Sequence, residues 1–199
     1  MSNRLLILFA HPLFEKSRVN KTLVSHYPSG VTFHDLYEHY PDFNIDIEKE
    51  KQLLTEHDII IWQHPIYWYS CPALLKQWID LVLEAGWAYG PGGVALKGKS
   101  VFQVITTGAP EHSYHEEANN RFTIRQFLAP FDQTATLCKM NYLPPFVTHG
   151  SHRILKDQVD EQSIAYQFLL NYLATNELDI EVLKKYNYLN DWVKENLLL

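Results

Sequence analysis

Apolar residues fall along this chain in short, nearly continuous runs separated by stretches of helical spacing. Leu5 to Ala10 reads LLILFA, Val31 to Leu36 reads VTFHDL, Asp58 to Gln63 reads DIIIWQ and Ser100 to Thr106 reads SVFQVIT. A weaker fifth run lies near Leu143 to His149, LPPFVTH. Runs that are apolar at successive residues, rather than at alternate ones, suit strands buried on both faces. Between the runs the period changes. In Pro72 to Ala85, the residues Leu74, Leu75, Trp78, Ile79 and Val82 keep the spacing of one helix face. Pro72 suits the first turn of that helix and Gly86 its stop. A further helix is expected to start near Arg18. Another is expected from Arg121 to Leu137, capped by Asn119 or Asn120 and broken or bent at Pro130. Asp157 to Leu173 carries Val159, Ile164, Phe168, Leu169 and Tyr172 at roughly helical spacing. Leu178 to Leu199 reads as an amphipathic helical tail, docked on the body or on a partner chain. No internal repeat, low-complexity stretch or Gly/Ser linker interrupts the order. The expectation is a single domain over 1–199, with a core to about residue 175 and a helical extension over 176–199. Five strands alternating with helices predict an α/β fold: a doubly wound five-stranded parallel sheet with helices on both faces.

In such sheets ligands sit at the carboxyl ends of the strands, near the point where strand order reverses. The loops after strands one, three and four are therefore where chemistry is sought. The first, His11 to Arg18 (HPLFEKSR), leads into a helix start, where free N–H groups favour anions. Ser17, Arg18 and His11 add hydrogen-bonding or positive character. The loop is neither a P-loop nor a GxGxxG fingerprint, and taken alone it reads more simply as an ordinary Ser cap beside a hydrogen-bonded His. The second loop, His64 to Cys71 (HPIYWYSC), sets three adjacent aromatics between two prolines. A flat ring ligand needs such apolar walls; an aromatic cover over a helix end is the alternative. The third loop, Thr106 to Tyr114 (TTGAPEHSY), offers hydroxyls and a Gly that permits close backbone approach, or simply a tight turn. Gly86 to Lys99, rich in Gly and aromatics, walls a pocket, crosses a dimer seam or forms a flexible surface loop.

Composition narrows the classes. A 199-residue chain with 46% hydrophobic and 20% charged residues is built to fold. The net charge of −6 argues against nucleic acid as a partner. Aromatics reach 14%, a surplus that core packing, interfaces or flat ligands can absorb. Cys71 and Cys138 stand in no CxxC or metal-ligand spacing, so no metal is expected and a reduced cytoplasmic setting is. Cys71 reads as a packed thiol, having no resolving cysteine nearby. Leu5 to Ala10 is too short for a signal-peptide core, and no apolar run approaches a membrane span.

Several ordered blocks carry a resemblance. They are FAHP at Phe9 to Pro12, HDLYEHYPDFNIDI at His34 to Ile47, and QHPIYWYSCPALLKQWID at Gln63 to Asp80. GWAYGPGG at Gly86 to Gly93, LKGK at Leu96 to Lys99 and TTGAPE at Thr106 to Glu111 complete the set. From about Leu5 to Gly150 the chain resembles the flavodoxin-like NAD(P)H:quinone oxidoreductases. It is especially similar to their bacterial branch of ancillary proteins of glutathione-gated potassium efflux systems, of the KefF and KefG types. The stretch beyond Gly150 matches poorly. The resemblance implies an FMN site, with FAD as the alternative. His11, Ser17, Arg18, Val19 and Asn20 would hold the phosphate arm. Pro65, Ile66, Tyr67 and Trp68 would line one edge of the ring system, and Thr106, Thr107, Gly108 and Ala109 the other. It also implies two-electron ping-pong transfer from NADPH or NADH to a quinone, with Tyr67 and Trp68 as apolar walls and Tyr114 as hydrogen-bond donor. A homodimer is implied too, as is contact with a membrane potassium efflux protein at the inner face of the membrane. A regulatory subunit with little turnover is the other activity that the resemblance allows. Two features depart from a single branch pattern. Ala109 stands where TTGG is frequent, and would be strained there if that position needs a left-handed backbone. Trp68 keeps the aromatic of the KefF type, whereas TTG-x-P-E follows the KefG type.

Overall fold

A computed structural model describes residues 3–197 of the chain. Strand β1 (Leu5–Phe9) is followed by α1 (Arg18–Leu23), β2 (Val31–Asp35), α2 (Leu36–His39) and α3 (Ile47–Glu56). Then come β3 (Ile59–Pro65), α4 (Ala73–Val82), β4 (Ser100–Thr106), α5 (Ile124–Phe127) and α6 (Ala129–Leu137). The chain closes with β5 (Asn141–Tyr142), β6 (Phe146–Thr148), α7 (Lys156–Thr175), α8 (Ile180–Leu183) and α9 (Leu189–Asn196). All pairings in the sheet are parallel, in the order β2-β1-β3-β4-β5, with β6 also on β4. The doubly wound expectation holds, and the reversal of order lies between β1 and β3.

Alternation explains why the strands read as continuous apolar runs. Leu6, Leu8, Ile60 and Trp62 enter one core with α3, α4 and α6. Leu5, Ile7, Phe9, Ile59 and Ile61 enter the other with α1, α7 and α9. Each strand is thus apolar on both faces because each face has its own helix layer.

The fifth strand departs from expectation. It is split: Ser100 and Val101 pair with Asn141 and Tyr142, whereas Val104 to Thr106 pair with Phe146 to Thr148. Leu143, Pro144 and Pro145 intervene, and the partner offset grows by one residue across them. Prolines have no N–H to give a ladder, so they fall at this bulge. The helix expected from Arg121 starts instead at Ile124. Thr123 caps it by accepting from the Gln126 N–H while Gln126 accepts in return, so Asn119 and Asn120 are not the caps. The break comes at Leu128, just before Pro130.

Helix α3 has no counterpart in the apolar pattern. Its buried residues are Glu50 and Leu54, so its inner face lacks a hydrophobic stripe. Glu50 is fully buried and accepts from His34 Nε2 at 2.8 Å, Tyr40 Oη at 2.6 Å and Trp78 Nε1 at 2.8 Å. Burial alone would raise its pKa. The hydrogen bonds from His34, Tyr40 and Trp78 outweigh that and hold the carboxyl below its ordinary range.

The tail is two short helices rather than one, and it docks on the body; residues 198–199 lie outside the described residues. Leu189, Trp192 and Val193 are buried, with Trp192 4.5 Å from the Tyr172 ring. Burial of such side chains stabilises by about 1.5–3 kcal/mol each. Asn190 closes the sheet edge: its Oδ1 accepts from the Val147 N–H at 2.7 Å and its Nδ2 donates to the Val147 carbonyl at 3.0 Å. Gly86 to Lys99 forms a tight knot. Gly86 N–H donates to the Tyr89 carbonyl and Ala95 N–H to that of Trp87. A Cβ on Gly93 would lie 2.0 Å from the Tyr89 carbonyl oxygen. Among the described residues, no helix is long and apolar enough to cross a membrane.

Candidate functional site

A cavity of about 640 Å³ opens at the carboxyl ends of β1, β3 and β4, over the reversal of strand order. Three chain segments expected there do meet. His11, Ser17, Arg18 and Val19 come from the first, Pro65, Ile66 and Tyr67 from the second, and Thr106 and Gly108 from the third. Leu13 and Lys16 join the first wall. A fourth segment was not foreseen: Ser151, His152 and Ile154, from the loop after β6. It lies at the carboxyl end of the fifth strand, where the same topological rule places ligands. It bears no motif, and its place follows from tertiary contacts. Arg18 donates to the Ile154 carbonyl, and Ser151 N–H donates to the Thr107 carbonyl at 2.8 Å.

The first wall is rich in donors. Ser17 caps α1, its Oγ accepting from Asn20 Nδ2 at 2.9 Å and, more weakly, from the Asn20 N–H. That leaves the hydroxyl hydrogen free to point elsewhere. His11 Nδ1 accepts from the Leu13 N–H at 3.1 Å, so its proton sits on Nε2. Desolvation lowers the His11 pKa, which keeps the ring a neutral Nε2–H donor near pH 7. Lys16 and Arg18 bring positive charge. Asn20 itself is buried beneath the wall, tying it to β4 through Thr106 Oγ1 at 3.2 Å. Its Oδ1 is buried and meets no partner among the described residues.

The third segment resolves the expected strain. Neither Gly108 nor Ala109 takes a left-handed backbone; that conformation falls on Gly150, at φ +68°. Thr107 Oγ1 donates to the Ala109 carbonyl at 2.8 Å, and Gly150 N–H donates to the same oxygen at 2.9 Å. Ala109 therefore costs nothing by conformation. Thr107 is buried under the loop rather than on the cavity wall. What Gly108 supplies is room: a Cβ there would lie 2.9 Å from His152 Nε2.

Two aromatics expected at the cavity are elsewhere. Tyr67 and Ser70 exchange both backbone hydrogen bonds, at 3.0 Å each, across a two-residue turn of Trp68 and Tyr69. Both turn residues are left-handed, at φ +49° and +67°. This is a type I′ turn built without Asn or Gly, and left-handed backbone costs such residues about 1–2 kcal/mol each. The turn aims Trp68 outward, 92% exposed, instead of along the wall beside Tyr67. Tyr69 stacks on Phe127 at 4.9 Å, and Phe122 meets the same ring at 5.6 Å. Tyr114 packs edge-on to Phe127 at 6.3 Å and near His149 at 5.7 Å, and it does not line the cavity. The exposed aromatic face is thus at Trp68, Tyr69 and Phe122. Trp87 and Tyr89 of the glycine-rich knot and Trp192 of the tail are packed against the cores. Cys71 is buried, its thiol pushed up to about 11 by desolvation, and so carries no thiolate chemistry at neutral pH.

Residues 3–169 match the flavodoxin-like fold family, and the chain belongs to it. A glutathione-regulated potassium-efflux system ancillary protein, KefG, from Pectobacterium carotovorum subsp. carotovorum (strain PC1) is 48% identical over 165 residues, covering 82% of this chain and 90% of that one. Among solved structures, the general stress protein 14 of Treponema denticola, in complex with FMN, superposes with a TM-score of 0.81 and 39% identity. It covers 85% of this chain and 99% of that one. An NADPH-quinone reductase from P. pentosaceus gives a TM-score of 0.76 and 35% identity, covering 88% of this chain and 99% of that one.

Proposed function

We propose that this chain is an FMN-dependent NAD(P)H:quinone oxidoreductase working by two-electron ping-pong transfer. The observation that carries the reading is the cavity at the reversal of strand order, with a donor-rich wall on one side and Pro65, Ile66 and Tyr67 on another. The donor set fits the group. Ser17, Arg18, Lys16 and the His11 Nε2–H suit a phosphate, while Asn20 supports them from beneath the wall. Val19, Thr106 and Gly108 complete the wall, while Thr107 and Ala109 hold the third loop in shape. The chemistry FMN supplies when bound is two-electron exchange between a nicotinamide and a quinone. This chain binds and orients it, and Tyr67 gives the apolar surface that a flat acceptor needs. The relatives described as a KefG protein, an FMN complex and an NADPH-quinone reductase support the same reading.

Steady-state kinetics test it. FMN-loaded protein is expected to turn over NADPH or NADH beyond one equivalent when a benzoquinone is present, with the parallel double-reciprocal lines of a ping-pong enzyme. Loaded protein without quinone-dependent turnover would overturn the reading.

A second role rests on a separate observation, the similarity to KefG over 82% of the chain. In this role the chain is an ancillary subunit, held at the membrane by a potassium efflux protein. Co-purification with a potassium efflux protein of the same cell supports that role, and failure to bind any such protein counts against it. A homodimer belongs to the proposal as well, with the exposed face of Trp68, Tyr69 and Phe122 as the surface that a second copy covers.

A further inference from the structure

The central strands carry a buried polar chain outside the cavity wall. Tyr142 in β5, Gln103 in β4 and His64 in β3 are all buried, the last two completely. The Tyr142 hydroxyl meets Gln103 Oε1, Gln103 Nε2 lies 3.2 Å from His64 Nε2, and His64 Nδ1 lies 3.0 Å from the Pro65 carbonyl oxygen. The direction of every bond follows from the last one. A carbonyl only accepts, so His64 Nδ1 carries a proton and donates it. Desolvation pushes the His64 pKa down to about 4, so the ring is neutral and Nε2 is bare. Gln103 must then present its amide nitrogen to His64, which turns its oxygen towards Tyr142. Tyr142 donates in turn, and desolvation raises its pKa, so the phenol stays protonated. The alternative orientation would set two lone pairs against each other at the Pro65 carbonyl, beside side chains that are fully buried.

Pro65 is the last residue of β3 and the first of the cavity's second wall. Ile66 follows, its N–H on the Thr106 carbonyl at 2.8 Å, and Tyr67 opens the strained turn. Pro65 has no N–H, so its carbonyl is its one backbone anchor.

We propose that His64 is a positioning residue for the Pro65–Tyr67 wall, fixed in one tautomer by the directed chain from Tyr142 through Gln103 and holding the Pro65 carbonyl through Nδ1. Its effect on FMN rests on the flavin reading above, whereas its effect on the backbone does not.

Two substitutions separate the ring nitrogens. In His64→Asn the amide nitrogen occupies the place of Nδ1 and can still donate to Pro65. In His64→Gln it reaches the place of Nε2 and cannot. Amide hydrogen exchange of the flavin-free protein reads the wall directly at Ile66, Tyr67 and Ser70. These amides are expected to exchange about tenfold faster in His64→Gln, the effect of losing one buried hydrogen bond, and to stay within about threefold of the parent in His64→Asn. FMN affinity, from quenching of flavin fluorescence, is expected to follow the same order. Equal behaviour of the two variants, or protection kept by Gln and lost by Asn, would overturn the proposal. Tyr142→Phe frees the far end while leaving His64 in place, so it serves if the His64 variants do not fold. It is expected to speed exchange at Ile66 and Tyr67, and unchanged exchange there would equally overturn the proposal. If the parent protein binds no FMN, the flavin reading fails while the exchange data still decide the role of His64.

Discussion

Replacing Glu50 by alanine is expected to destabilise the protein by about 3–5 kcal/mol, the usual cost of removing one partner from a buried charged cluster. Three donors converge on this carboxylate: His34, Tyr40 and Trp78. All three side chains are buried, in a core that is closed at Trp78 and Glu50. Without Glu50 each is left unpaired, and the gap is too polar to collapse cheaply. Urea unfolding checks this: the midpoint should fall with the slope unchanged, because the surface exposed on unfolding is the same. A loss below about 1 kcal/mol would mean that the donors find other partners. The same group sets an acid limit. Its folded pKa lies below its unfolded value, so its contribution is complete above the unfolded pKa and is lost as pH falls through the folded one. Glu50→Gln should be less stable than the parent at neutral pH and should lack this component of the acid loss.

Ser17→Asp should do the opposite, leaving stability alone and removing the ligand. Aspartate caps a helix as well as serine, so the bond from Asn20 to the cap survives and stability should change by less than about 0.5 kcal/mol. The new carboxylate enters the cavity wall beside Arg18 and His11. Like charges about 4 Å apart at an effective dielectric of about 20 repel by about 4 kcal/mol. Discounted for the open side of the cavity, FMN affinity should fall by about 100-fold or more. Titration of flavin-free protein with FMN, read by fluorescence quenching, measures it. Affinity unchanged in this variant would remove the phosphate arm from the first wall.

These two sites show what the sequence made legible. The sheet was readable because β1, β3 and β4 are apolar on both faces. The first and third loops were readable because topology alone places them at the strand ends. Helix α3 was not, since its inward face is Glu50 rather than a leucine stripe, and a buried carboxylate looks exposed to any hydrophobic period. Of the three adjacent aromatics, Tyr67 lines the cavity as expected, whereas Trp68 and Tyr69 turn away from it. Adjacency says nothing about turn type, and two aromatic residues with positive φ are too costly to expect without the contacts that hold them. Tyr69 on Phe127 supplies those contacts. The fourth wall, Ser151 to Ile154, is ordinary in sequence and becomes a wall only through Arg18 and Thr107. His64 was in view as a loop boundary. Its role depends on Gln103 and Tyr142, which lie 39 residues away in sequence from His64 and Gln103 respectively.

The central claim is that the cavity over the β1–β3 reversal holds FMN and passes two electrons from a nicotinamide to a quinone. The most direct test is an anaerobic absorbance titration of the protein reconstituted with FMN. The account predicts one flavin bound per chain, a flavin band that bleaches with one equivalent of NADPH or NADH, and its return with one equivalent of benzoquinone. A protein that takes up no FMN, or one whose flavin band is untouched by either nicotinamide, would contradict it.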